Sequence, residues 1–259
     1  DLFLMEAHYK FESFMIYMEK NRPPWERFYL PRRNPLSQVA QLIQDLYDDK
    51  LDEGMVFCPG RIGKTQIVKM GNLWFGSNRP ERSNLYSAYS DKITGGFYDG
   101  TLEMVNDPTY TYKEIYPQIA EKKAITDGKD LTIDFLRKKT YPTFTMRSIY
   151  GTLNGACDCD GLGVYDDLFS GIDEALSEDR QATVWGKFDN NFMPRIKPGK
   201  AKLLGIGTRW APRDVQGRRL ELLANNPEYK NIRHREVIIP ALNENNESNF
   251  DYPYKLGYS

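Results

Sequence analysis

The chain has 259 residues, a formal net charge of -1 and 27% charged residues. This length can bury a substantial core, the composition excludes a disordered or fibrous protein, and the near-neutral charge provides no global field to hold a nucleic acid. No apolar run approaches the ~20 residues that span a bilayer, and no basic segment followed by an apolar one opens the chain, so a soluble, unexported protein is expected.

From Pro35 to Asp49, the residues Leu36, Val39, Ala40, Leu42, Ile43, Leu46 and Tyr47 recur at helical spacing and predict a helix with one buried face. The run MVFC (55–58) predicts a short buried strand that leads into a glycine-bearing loop, and a second helix follows from about Lys64 to Phe75, closed by GSNRP. NLYSAY (84–89) is the next strand, and 91–108 the next helix, stopped by Pro108. Alternation over 129–149, as in TFTMRSIY, predicts exposed or edge strands. Buried strands return at LGVYDD (162–167) and KLLGIGT (202–208), and the helix between them is expected to set Ala182, Trp185, Phe188 and Phe192 on one face. Strands alternating with helices in this way predict a three-layer α/β domain around a mainly parallel sheet, with ligands beyond the carboxyl ends of the strands.

The three cysteines, Cys58, Cys157 and Cys159, make no disulfide framework, which suits a reducing compartment. With only His8 and His234 in the chain, the CDC at 157–159 has no partners for a zinc site. Any nucleic-acid contact must be local, and the candidate patches are Lys122 with Lys123, Arg137 to Lys139, and the stretch from Arg209 to Arg219. Taken singly, each patch fits a solvated basic face better than a nucleic-acid contact.

Three strand ends carry the chemistry. In FCPGRIGKTQ, residues 57 to 66, Gly63, Lys64 and Thr65 match the end of G-x-x-x-x-G-K-[ST], the phosphate-binding loop. Backbone amides of such a loop wrap phosphates, the lysine neutralises their charge and the hydroxyl ligates magnesium. Cys58 stands where the first glycine belongs, and Pro59 with Gly60 offers a tight turn by other means. A GKT alone also fits an ordinary strand-to-helix turn. The second end is LGVYDD, which delivers Asp166 as a candidate metal ligand and Asp167 as a candidate base for the attacking water. Two acids also close many strands that do no chemistry. Their place, about a hundred residues after Lys64 with a strand between, matches phosphate-loop ATPases that carry an additional strand. The third end is GIGTRW, where Thr208 can sense the γ-phosphate or simply cap a strand, and where Asp214 is a predicted N-cap for the next helix. No N-K-x-D occurs, so ATP is expected over a guanine nucleotide.

Over about Leu36 to Pro240 the chain resembles the ATPase domain of the large terminase subunit of tailed bacteriophages. The resemblance lies in PGRIGKTQ, in NLYSAYSDKITGGFYDGTLEMVNDPTYTYKEIYP, in GTLNGACDCDGLGVYDD and in GIGTRWAPRDVQGRRLE. It implies ATP hydrolysis with magnesium that drives double-stranded DNA through a portal protein into a procapsid. The implied partners are the portal, the small terminase subunit and other copies of the chain in a ring, and the implied location is the host cytoplasm at the portal, neither virion nor membrane. Carried over, Pro59, Gly60, Arg61, Ile62, Gly63, Lys64, Thr65 and Gln66 bind phosphate, Thr65 and Asp166 hold the metal, Asp167 activates water, and Thr208 belongs to the coupling motif. Arg61 leans over the γ-phosphate and, with Lys64 and Asp167, completes the implied catalytic set. Residues 1–35 become a leading helix and an approach to the adenine pocket; Tyr29, Arg32, Arg33 and Gln38 are candidate base contacts, each of which taken alone fits core packing or surface charge better. Residues 36–240 become the ATPase domain, and 241–259 a polar linker towards a nuclease domain outside this chain.

Two departures stand out. Family members commonly carry glutamate where this chain has Asp167. Many also carry an arginine shortly before the acidic strand that completes a neighbour's site, but none lies between Ile149 and Tyr165 here, which leaves Arg147, Arg209 and Arg213 as candidates. A helicase-like ATPase and a nucleotide-binding scaffold with a degenerate loop are the alternatives.

Overall fold

The structure, a computed structural model, describes residues 2–122, 124–136 and 140–257. Ten helices are described: α1 (Leu2–Glu6), α2 (Phe11–Met18), α3 (Tyr29–Tyr47), α4 (Lys64–Asn78), α5 (Asp91–Asn106), α6 (Tyr112–Ile115), α7 (Pro117–Lys122), α8 (Ile172–Leu176), α9 (Glu178–Lys187) and α10 (Val215–Asn225). They surround one eight-stranded sheet of β1 (Glu53–Phe57), β2 (Asn84–Ala88), β3 (Ile125–Asp127), β4 (Thr132–Asp134), β5 (Phe144–Ser148), β6 (Leu162–Asp166), β7 (Lys202–Gly207) and β8 (His234–Ile238). The spatial order is β3-β4-β5-β2-β6-β7-β1-β8, and β4 alone runs opposite to the other seven strands.

Alternate residues of the central strands feed two different cores, as the two-residue period of a strand requires. Val56, Tyr86, Val164 and Leu204 point to α3, α4 and α5, whereas Leu85, Tyr165 and Leu203 point to a second cluster with Phe188, Phe192 and Val215. Met55 and Phe57 meet Leu223 of α10 on that second side. The layers are therefore helix, sheet and helix. Because β7 lies between β1 and β6, the loop after β1 and the acids after β6 face each other across the end of a third strand.

Several boundaries differ from expectation. The third helix starts at Tyr29, not Pro35, so the expected division at 35/36 falls inside a continuous helix. Pro31 sits in the first turn, where no intrahelical donor is required, and Pro35 is carried within the helix at the loss of one backbone bond. Of the segment 129–149, only β4 lies in the outer part of the sheet; β5 is buried and pairs in parallel with β2. Its Thr145 and Ser148 are buried polar residues, and they make an interior strand look like an edge strand. Along α9 and the wider π-type turn that continues it (Phe188–Phe192), the buried residues are Val184, Phe188 and Phe192, Trp185 is half-buried, and Ala182 is exposed. The strand β8 was not expected. The polar segment after 240 folds back, with Phe250 and Tyr252 buried in the main core.

All three cysteines are buried, Cys58 beside the loop and Cys157 with Cys159 in the second cluster. Among the described residues no helix is long and apolar enough to cross a membrane. Lys123 and Arg137 to Lys139, together with the side chain of Lys122, lie outside the described residues.

Candidate active site

The loop after β1 is pinned at both ends and turned tightly between them. Cys58 donates its N–H to the Gly207 carbonyl at 3.2 Å, and the Ile62 side chain is fully buried. Arg61 and Gly63 both adopt left-handed backbone, with φ of 65° and 96°. At Gly63 the requirement for glycine is double, since a Cβ there would also overlap the Phe28 ring. The chain then enters α4 directly, so Lys64 and Thr65 occupy the first turn, where backbone N–H groups have no intrahelical partners and favour anions.

Asp166 and Asp167 from the end of β6, Thr208 from the end of β7 and Tyr86 from the middle of β2 converge on this turn. The Lys64 ammonium pairs with the Asp167 carboxylate and donates to Thr208 Oγ1 at 3.1 Å. Thr208 donates its N–H to Asp167 Oδ1 at 2.9 Å and its hydroxyl to the Cys58 carbonyl at 3.3 Å. It thereby ties the end of β7 to the ends of β6 and β1. Thr65 Oγ1 donates to Asp166 Oδ2 at 3.0 Å, and Tyr86 Oη donates to the same oxygen at 2.9 Å. Asp167 holds φ at 32°, a left-handed conformation that a short polar side chain tolerates and that turns its carboxylate back towards Lys64.

Asp166 is 2% exposed, and its Oδ1 has no hydrogen-bond partner among the described residues. Burial, then the neighbouring Asp167 charge, pushes its carboxyl well above the usual carboxylate range, against the opposing pull of Lys64, Tyr86 and Thr65. A buried, half-satisfied carboxylate beside a threonine hydroxyl is a hard-oxygen donor set, and it fits a magnesium ion that takes few protein ligands.

The remaining expected residues are distributed unevenly. Gly60 and Arg61 are exposed at the loop's outer edge, and Pro59 is half-buried. Gln66 points away, with Nε2 3.9 Å from Met104 Sδ. Of the four expected base contacts, only Arg32 reaches the loop, packed on the rings of Phe28 and Tyr252 at 5.2 and 5.3 Å. Tyr29 is buried on Glu12, Arg33 pairs with Glu12, and Gln38 is exposed. Among the arginines expected to act in trans, Arg209 is held in its own chain by Asp214 Oδ2 at 3.2 Å and by the Phe57 ring. Arg147 pairs with Asp130 at 2.9 Å, and Arg213 is exposed.

Three residues of the site escape the motif reading: Tyr86, Phe28 and Tyr252. A signal for Tyr86 exists in NLYSAY, because a tyrosine in a wholly buried strand needs a partner for its hydroxyl. Here the ring stacks on Phe97 at 3.6 Å between centroids, which aims the hydroxyl at Asp166.

No protein-family model and no curated protein sequence matches the chain. Among solved structures, its fold is similar to that in the "Crystal structure of the HK97 bacteriophage large terminase", with a TM-score of 0.53 and 14% sequence identity. The match covers 90% of this chain and 44% of that one, so the chain spans less than half the length of its structural relative.

Proposed function

We propose that this chain is the ATP-hydrolysing part of a viral DNA-packaging motor, built on a phosphate-loop fold of the additional-strand class. The observation that carries the reading is the convergence of Lys64, Thr65, Asp166, Asp167 and Thr208 at the ends of β1, β6 and β7. The likeness to a large terminase supports DNA as the substrate that is moved.

In this reading Lys64 exchanges the Asp167 carboxylate for phosphate oxygens. Thr65 and Asp166 Oδ1 would hold magnesium, which supplies neutralisation of the charge that gathers on the phosphates during transfer. Asp167, released by Lys64 but still oriented by the Thr208 N–H, takes the proton of the attacking water. Thr208 exchanges its Lys64 contact in the same event and passes the change to the loop that leads into α10. Arg61 reaches over the γ-phosphate from the loop's exposed edge. A neighbouring copy in a ring supplies a further cation, for which the exposed Arg213 is the better placed candidate, since Arg147 and Arg209 are each engaged within their own chain. Grip on double-stranded DNA is through phosphates and weakens with salt; the portal, the small subunit and a nuclease domain complete the machine.

The test is steady-state ATP hydrolysis with magnesium over a range of protein concentrations, for the native chain, Lys64→Ala and Asp167→Asn. Turnover that rises per subunit with concentration and disappears in both variants is the expected result. A native chain that binds ATP but turns over no faster than its variants is a scaffold, and the proposal fails.

A further inference from the structure

On the face of the sheet opposite α4, β7 carries no side chains at two positions, Gly205 and Gly207, and β6 fills the space. A Cβ on Gly205 would overlap the Tyr165 phenol. A Cβ on Gly207 would lie 2.9 Å from Asp167 Oδ1 and 3.4 Å from Gln216 Oε1, which brings the Gln216 amide and the Asp167 carboxylate over the same glycine. A cavity of about 20 Å³ opens there, lined by Tyr165, Asp167, Thr208, Trp210 and Gln216 among others. One water needs roughly 10–15 Å³ and two or more polar partners.

Tyr165 and Gln216, two of the residues lining the cavity, each carry a buried donor with no hydrogen-bond partner among the described residues, Tyr165 Oη and Gln216 Nε2; the two residues are 1% and 6% exposed. Two unsatisfied buried donors on the lining of one cavity are costly, and each needs an acceptor. Gln216 is also fixed in space. It lies in the first turn of α10, whose N-cap Asp214 accepts from Gly217 N at 2.8 Å and from Arg209 Nε at 3.2 Å.

We infer that Gln216 is a positioning residue for Asp167: its amide and Tyr165 Oη donate to one water held in this cavity, and that water donates to the Asp167 carboxylate. The inference rests on the reading of Asp167 as the base. When Lys64 leaves for phosphate, the Thr208 N–H and this water are what keep the carboxylate aimed. Because Gln216 belongs to α10, the base is correctly placed only while α10 sits in its present position. The helix that would carry motion outward thus also licenses the next hydrolysis.

Two measurements test this separately from the activity itself. A high-resolution crystal structure of the nucleotide-free protein should show one water within hydrogen-bond distance of Tyr165 Oη, Gln216 Nε2 and Asp167. A dry cavity, or a Gln216 amide turned to another partner, overturns the inference whether or not the protein hydrolyses ATP. In kinetics, Gln216→Leu and Tyr165→Phe should each lower kcat about tenfold or more, at unchanged KM for ATP, through loss of alignment. The double variant should lose little beyond either single one, since both act through one water. Losses that multiply, or a kcat per folded molecule that stays native while only Tm falls, overturn it. A native protein without turnover rejects the ATPase reading and leaves the crystallographic result to decide this one.

Discussion

Lys64 and Asp167 form an ion pair across the mouth of the loop, joining the first turn of α4 to the end of β6. The cation proposed to bind phosphate is therefore already occupied by the proposed base. Asp167→Asn should bind ATP several-fold more tightly than the native chain while its turnover falls by ~100-fold or more, the contribution of a general base. Calorimetric titration with ATP and magnesium, set beside steady-state rates, checks both. Weaker binding in the variant would mean that the pair does not compete with phosphate.

Tyr86→Phe removes one hydroxyl and retains the ring stacked on Phe97. Asp166 Oδ2 would keep Thr65 as its donor and lose the other. The variant should be less stable by about 1.5–3 kcal/mol, the contribution of a hydrogen bond to a charged group, and should need several-fold more magnesium for half-maximal activity. Urea unfolding and a magnesium titration give the two numbers, and an unchanged magnesium requirement would remove Tyr86 from the site.

The Asp166 carboxyl is raised in the fold from an ordinary 3.8 to about 6. The folded chain thus holds this proton more tightly than the unfolded chain does. Its contribution to stability is greatest at the acid end of that window and is lost as pH rises through the folded value. Without magnesium, the native protein should lose stability relative to Asp166→Asn as pH rises through about 6, and magnesium should restore it most strongly at the higher pH. Thermal unfolding of both proteins across that range, with and without magnesium, makes the comparison. Parallel curves would show that Asp166 is not the group responsible.

Arg219 of α10 and Glu53 of β1 make a two-point ion pair, at 3.1 Å from Nε and 2.8 Å from Nη2, beneath the Tyr229 ring. Both residues are almost wholly buried. Arg219→Met alone should cost about 3–5 kcal/mol because it strands a buried carboxylate, whereas replacing both partners with apolar residues of similar volume should cost much less. Equal losses in the single and double variants, read from urea unfolding, would contradict this.

Much of the sheet is legible in the sequence because strands buried on both faces read as apolar runs, and β6 and β7 are buried at every position. β8 is not, because its residues His234 to Ile238 are placed by their ladder with β1 and only Val237 is buried. The start of α3 is masked by Pro31 and Pro35. Within the candidate site, Lys64, Thr65, Asp166, Asp167 and Thr208 can be named because each lies at or next to the end of a strand or in the loop after one. Phe28 and Gln216 cannot be named in that way, since their places depend on how distant segments pack and not on any local pattern, and for Tyr86 the buried strand signals that its hydroxyl needs a partner without saying which.

The burial of the three cysteines has a practical side. Burial pushes the Cys58 and Cys157 thiols up to about 12 and raises the Cys159 thiol well above its ordinary value too, so none offers a thiolate at neutral pH. A single cysteine placed on the exposed surface would be the one site that reacts with a maleimide dye or a tether. The native chain, with no cysteine removed, is therefore ready for fluorescence or optical-trap experiments that follow one subunit at a time.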